Sequence, residues 1–133
     1  MGYKIIKGWP DDSALDLPME VESGNSIIEG HTFWLNDSGN AEVADYNSNG
    51  SENNKLFFYC IDSDTVTGNV IGLSGNFMIE VESDLYWPGN YHTNLGVTSK
   101  EGKFSIPVGT EDVVGYVVRY TSSTGKLIIT WNG

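Results

Sequence analysis

Residues 102–131, GKFSIPVGTEDVVGYVVRYTSSTGKLIITW, leave the chain few folds to adopt. Phe104, Ile106 and Val108 alternate with Lys103, Ser105 and Pro107, the period-two pattern of a strand with one buried face. After a Gly-Thr-Glu-Asp turn, residues 113–120 are dense in β-branched and aromatic side chains, which fit a pleated, packed surface. Residues 121–125 form a polar hairpin loop, and residues 126–131 return as the partner strand. Nothing in this stretch demands catalysis. It is a fold signature.

The rest of the chain extends the same grammar. Turn signals at Ser23-Gly24-Asn25, at residues 36–40 (NDSGN), at 62–68 and at Ser74-Gly75-Asn76 separate short apolar or alternating runs. Residues 56–61 (LFFYCI) are the most hydrophobic of these and read as a strand buried on both faces. Phe77, Ile79 and Val81 share one face, opposite Glu80 and Glu82. Residues 47–54 (NSNGSENN) hold nothing that can enter a core and read as an exposed loop tip. About ten short strands at this spacing predict an all-β chain, a small antiparallel barrel or sandwich. With 133 residues and 39% hydrophobic content, one domain can bury its core without disulfides or metal.

Residues 1–20 differ in texture and are expected to form an extended N-terminal arm ahead of a domain at 21–133. Residues 3–7 have strand propensity, Gly8-Trp9-Pro10 breaks the run, and Leu15, Leu17 and Met19 alternate with Asp16, Pro18 and Glu20 as an extended ribbon with one apolar edge. Such a ribbon either packs along its own domain or docks on another subunit. Trp9 is the anchor that separates the two.

An internal similarity divides the domain into halves at 21–85 and 86–133. Residues 38–45 (SGNAEVAD) resemble 101–108 (EGKFSIPV), and 59–73 (YCIDSDTVTGNVIGL) resemble 116–130 (YVVRYTSSTGKLIIT). The offset is larger for the first pair than for the second, and residues 47–54 supply the difference as a loop insertion. A duplicated module and the shared grammar of unrelated hairpins both fit this pattern.

Charge and motifs narrow the function. Seven Lys and Arg scattered among 18 acids give a net charge of −11, which disfavours nucleic acid and anionic membrane and suits a basic patch on another protein. The single cysteine, Cys60, excludes an internal disulfide and reads as a small core residue rather than a nucleophile. His31 and His92 sit in no ligand spacing. Asp62-Ser63-Asp64 lacks the closing acid of a calcium loop, so each turn acid is expected to bond local backbone N–H groups. No cofactor and no enzymatic activity are expected. With no apolar run of membrane-spanning length and no leader pattern, the chain is expected to be made and used without secretion. Tyr86, Trp87 and Tyr91, grouped around a Pro-Gly turn, are candidates for a sugar-stacking platform or an interface anchor, with core packing beneath a loop as the alternative.

Residues 21–30 followed by a Ser-Gly-Asn hairpin, then residues 91–98 (YHTNLGVT), Glu101-Gly102-Lys103 and residues 113–117 (VVGYV), resemble the capsid decoration proteins of tailed phages, broadly the lambda-like head decoration type. The chain departs from that pattern in its acidity and in the loop at 47–54. The resemblance implies a structural virion protein on the capsid exterior, made in the host cytoplasm. It would bind the major capsid protein and tie neighbouring capsomers together, with self-association as a trimer favoured over a monomer or dimer. It also implies an arm that adds a strand to capsid edges, with Tyr3, Ile5, Ile6, Trp9, Leu15, Leu17 and Met19 as the contacts. The competing reading is a carbohydrate- or receptor-binding β module that uses Tyr86, Trp87 and Tyr91.

Overall fold

In the computed structural model, residues 2–7, 18–45, 57–64, 66–109 and 113–131 are described. They form eleven strands: β1 (Tyr3–Lys7), β2 (Met19–Glu20), β3 (Thr32–Leu35), β4 (Ala41–Val43), β5 (Phe57–Asp64), β6 (Asn69–Leu73), β7 (Phe77–Val81), β8 (Gly96–Lys100), β9 (Lys103–Ser105), β10 (Gly115–Thr121) and β11 (Lys126–Trp131). Among the described residues there is one 3-10 turn, Ser83–Leu85, after β7. The fold is all-β, and of barrel and sandwich it is the sandwich that fits. One antiparallel sheet runs β1-β7-β11-β10-β8-β9 and the other β2-β6-β5-β3-β4.

Leave β1 aside and the two sheets have the same strand order. They also have the same register. Tyr59↔Leu73, Cys60↔Gly72, Asp62↔Ile71, Ser63↔Val70 and Asp64↔Asn69 between β5 and β6 recur, at one constant offset, as Tyr116↔Thr130, Val117↔Ile129, Arg119↔Ile128, Tyr120↔Leu127 and Thr121↔Lys126 between β10 and β11. Each hairpin carries its β-bulge at the same step, Cys60/Asp62 and Val117/Arg119. Thr32↔Tyr59 and Phe33↔Phe58 recur as Gly96↔Tyr116 and Val97↔Gly115, and Met19↔Val70 recurs as Val81↔Leu127. Even the isolated parallel bridges correspond, Val21↔Ala41 and Tyr86↔Phe104. Generic hairpins share turns, not bulges and inter-hairpin registers. The chain holds the same five-stranded module twice.

The halves fall differently from the 21–85 and 86–133 division. Corresponding residues run from Met19 to Leu73 and from Val81 to Thr130, because β7 pairs with β11 of the second sheet. One strand is added to those expected, and one expected run is shortened. Residues 96–100 are a strand, hairpin partner of β9. The run at 104–108 stops early: Phe104 is fully buried, but β9 ends at Ser105 and Val108 is 88% exposed.

Two apolar clusters hold the modules. Met19, Ile27, Phe33, Ala41, Phe58, Cys60 and Val70 fill the first. The larger cluster holds the second module's interior and the seam, where Tyr59 stands among Phe77, Phe104 and Trp131 with ring centroids 6.2, 6.0 and 5.7 Å away. The buried side chains of residues 58–60 bear out the two-sided burial expected of that strand. Backbone bonds cross the seam too: Thr32 N–H donates to the Gly102 carbonyl at 2.8 Å and Gly102 N–H to the Ala44 carbonyl at 2.9 Å. The Ser99 hydroxyl, itself bonded to the Thr32 hydroxyl, donates to the same Ala44 carbonyl.

Candidate docking surface

β1 is an edge strand of the second module's sheet. It pairs antiparallel with β7, Tyr3↔Val81, Lys4↔Glu80 and Ile5↔Ile79, and Tyr3 stacks edge-on against Tyr59 at 5.3 Å. Residues 3–7 therefore pack along their own domain, the first of the two sequence readings, and are not a separate arm. Burial pushes the Tyr3 phenol up to about 12, and its hydroxyl donates to the Ile61 carbonyl. Met19 is 5% exposed inside the first module, so the boundary expected after residue 20 cuts through a core. Trp9, Leu15 and Leu17 lie outside the described residues.

Sheet edges are templates for further strands unless something covers them. Here the far edge of the six-stranded sheet, β9, is covered by the chain at Tyr86 and Trp87, whose N–H donates to the Phe104 carbonyl at 2.8 Å. Residues 19–22 serve both edges of the other sheet. β2 pairs with β6, Val21 bridges to Ala41 on β4, and Glu22 N–H donates to the Ala41 carbonyl at 2.8 Å. Among the described residues, nothing pairs beyond β1, or beyond the two-residue β2.

The register decides what that edge presents. Glu82 N–H donates to the Gly2 carbonyl at 3.0 Å, which makes Lys4–Glu80 the next mutually bonded pair. The N–H and C=O groups of Tyr3 and Ile5 then point away from β7. A bulge between Ile5 and Lys7 leaves Ile6 43% exposed on the same strand. At the start of β1 opens a cleft of about 540 Å³, lined by Tyr3, Ile28, Glu29, His31, Asp84 and Lys103 among others. Within it His31 keeps a buried Nδ1 with no hydrogen-bond partner among the described residues, and burial, with Lys103 nearby, lowers its pKa below 6.5. The sequence placed Tyr3, Ile5 and Ile6 among the contacts; the cleft gathers residues from Gly2 to Lys103 and has no local signature.

The aromatic turn is not a platform. Tyr86 and Tyr91 are 7% and 6% exposed, in edge-to-face contact at 5.2 Å, with their hydroxyls donating to the carbonyls of Gly125 and Trp87. Core packing beneath the loop is the reading that fits. Trp87 is half-buried: its Nε1 donates to the Lys100 carbonyl, and the Lys100 and Lys103 ammonium groups lie 5.3 and 4.9 Å from its ring centre.

The remaining candidates have local roles. Cys60 is fully buried, burial pushes its thiol up to about 12, and its sulfur donates to the Asp62 carbonyl. Asp64 accepts from the N–H groups of Val66 and Thr67, which hold its carboxyl below the usual range. That is the turn-acid behaviour expected of it. Among the described residues no group of three or more His, Cys, Asp or Glu could hold a metal. Comparison with protein-family models, with curated proteins and with solved structures finds no match to this chain.

Proposed function

We propose that this protein is a structural component of a tailed-phage virion, binding the capsid exterior and bridging neighbouring major capsid proteins. The observation that carries the reading is the edge of β1, five residues long with nothing paired beyond it among the described residues, beside a cleft. A strand of the capsid protein laid along that edge would bond the outward amides of Tyr3 and Ile5 and set a side chain into the cleft. Backbone bonds would supply affinity and the cleft specificity. Two fused modules sharing one seam make a body suited to resisting the separation of adjacent capsomers. The strand expected to be donated to the capsid would instead be an acceptor for a capsid strand.

Co-sedimentation with mature capsids tests this. Truncating residues 1–20 would remove Tyr3 and Met19 from the core, so the informative variant is Ile6→Lys, at an exposed position where lysine opposes further strand pairing. We expect wild type to pellet with capsids and Ile6→Lys to lose binding at unchanged Tm. Wild type that stays in the supernatant sinks the reading; Ile6→Lys that binds like wild type removes β1 from it. Glycan titration followed by tryptophan fluorescence is expected to show no change.

A further inference from the structure

The duplication exposes a face that the first module hides. On the outward side of β5 and β6, Tyr59 and Leu73 are fully buried against the second module, with Ile61 packed alongside. The same positions on β10 and β11 are Tyr116, Thr130 and Val118. Tyrosine is retained and isoleucine becomes valine, yet Tyr116 is 46% and Val118 36% exposed, and Val113 beside them is 40% exposed. Gly96, the register partner of Tyr116, lies beneath the tyrosine and valine side chains: a Cβ there would meet Val113 at 3.1 Å and Tyr116 at 3.6 Å. The result is an apolar ridge on an open sheet face. It repeats in exposed form the surface that joins the modules.

Charge decides what can cover it. Residues 1–84 hold fifteen of the eighteen acids and three of the seven Lys and Arg, a net −12; residues 85–133 hold three acids and four cations, a net +1. Glu101 and the adjacent Glu111 and Asp112 are the only acids in that second part, and the β10 strand carries Arg119. General self-association of a −11 chain is opposed by repulsion. Contact through the Tyr116 face is different, since the strands that carry it, β8 and β10, hold Lys100 and Arg119 and no acid. A self-complementary patch of this kind closes as a two-fold pair.

We propose that the face formed by Val113, Tyr116 and Val118 over Gly96 is an isologous interface with a second copy of this chain. Tyr116 is its anchor, a rigid aromatic of the type that dominates interface energetics. The face belongs to β10 and β8, while β1 is separated from them by β7 and β11, so a pair built this way keeps both β1 edges accessible. The inference does not depend on a capsid.

Sedimentation equilibrium of the full chain, alone, across a concentration series reads it out. We expect wild type to reach twice the mass of the 14.6 kDa chain. Tyr116→Arg and Val118→Arg, both at exposed positions, should weaken association at least tenfold, while Ile6→Arg on β1 should associate like wild type. Circular dichroism and Tm of each variant separate lost pairing from lost folding. A monomeric wild type at every concentration overturns the proposal, as does a pair that survives both folded face variants. A trimeric mass overturns the two-fold arrangement, and dissociation by Ile6→Arg alone moves the interface to β1.

Discussion

Tyr59 and Tyr116 occupy one and the same position in two copies of a module, and only one of them is inside. Tyr59 fills the seam between Phe77, Phe104 and Trp131, whereas Tyr116 stands 46% exposed on an open face. Their energetics should differ accordingly. Tyr59→Ala opens a cavity and should cost about 3–5 kcal/mol, while Tyr116→Ala should stay within about 0.5 kcal/mol in dilute protein. Urea unfolding of the two variants measures the difference.

The same equivalence applies to a left-handed turn. Gly30 (φ 89°) and Asn94 (φ 74°) both donate their N–H to corresponding strand carbonyls, those of Cys60 and Val117. A Cβ on Gly30 would lie 2.6 Å from Leu85 Cδ1, which is itself buried. Gly30→Asn should therefore lose about 2–4 kcal/mol through strain and overpacking, and Asn94→Gly should move stability by less than about 1 kcal/mol. Thermal melts of both variants check this.

His31 should make stability pH-dependent. Burial and Lys103 disfavour its charged form, with Asp84 opposing, so its pKa in the folded protein lies below 6.5. The unfolded chain then binds the proton more readily, and this contribution to stability, fully present above 6.5, is lost as the pH falls through the lowered folded value. His31→Gln should flatten that part of the Tm-against-pH curve. An unchanged curve would show that His31 is not its source.

Cys60 should be silent in the native protein. Its thiol is buried and pushed up to about 12, so a thiol reagent near pH 8 should label it only after unfolding. Labelling of one thiol per chain in denaturant, against almost none without it, is the expected result. Rapid native labelling would contradict the burial.

Much of the fold was legible because it is local. Period-two alternation at Phe77, Ile79 and Val81 marks a strand face, and the polar loops closing on Gly68 and Gly125, both with positive φ, mark the two long hairpins. The duplication was visible as two pairs of similar segments, and register turned similarity into equivalence. Residues 96–100 were missed as a strand because GVTSK has little alternation of its own, and its β-structure comes from pairing with β9 and β10.

By itself the sequence determined the all-β class, the hairpins, the buried Cys60 strand and the charge. Tertiary structure alone decided which copy's outward tyrosine meets protein and which meets water. It alone put β1 into the second module's sheet, and it alone turned Tyr86 and Tyr91 from surface candidates into core. The reason is common to all three. Strand periodicity says which side chains share a face, but burial depends on what other parts of the chain, here β7, β11 and β9, bring against that face, and no local pattern encodes it.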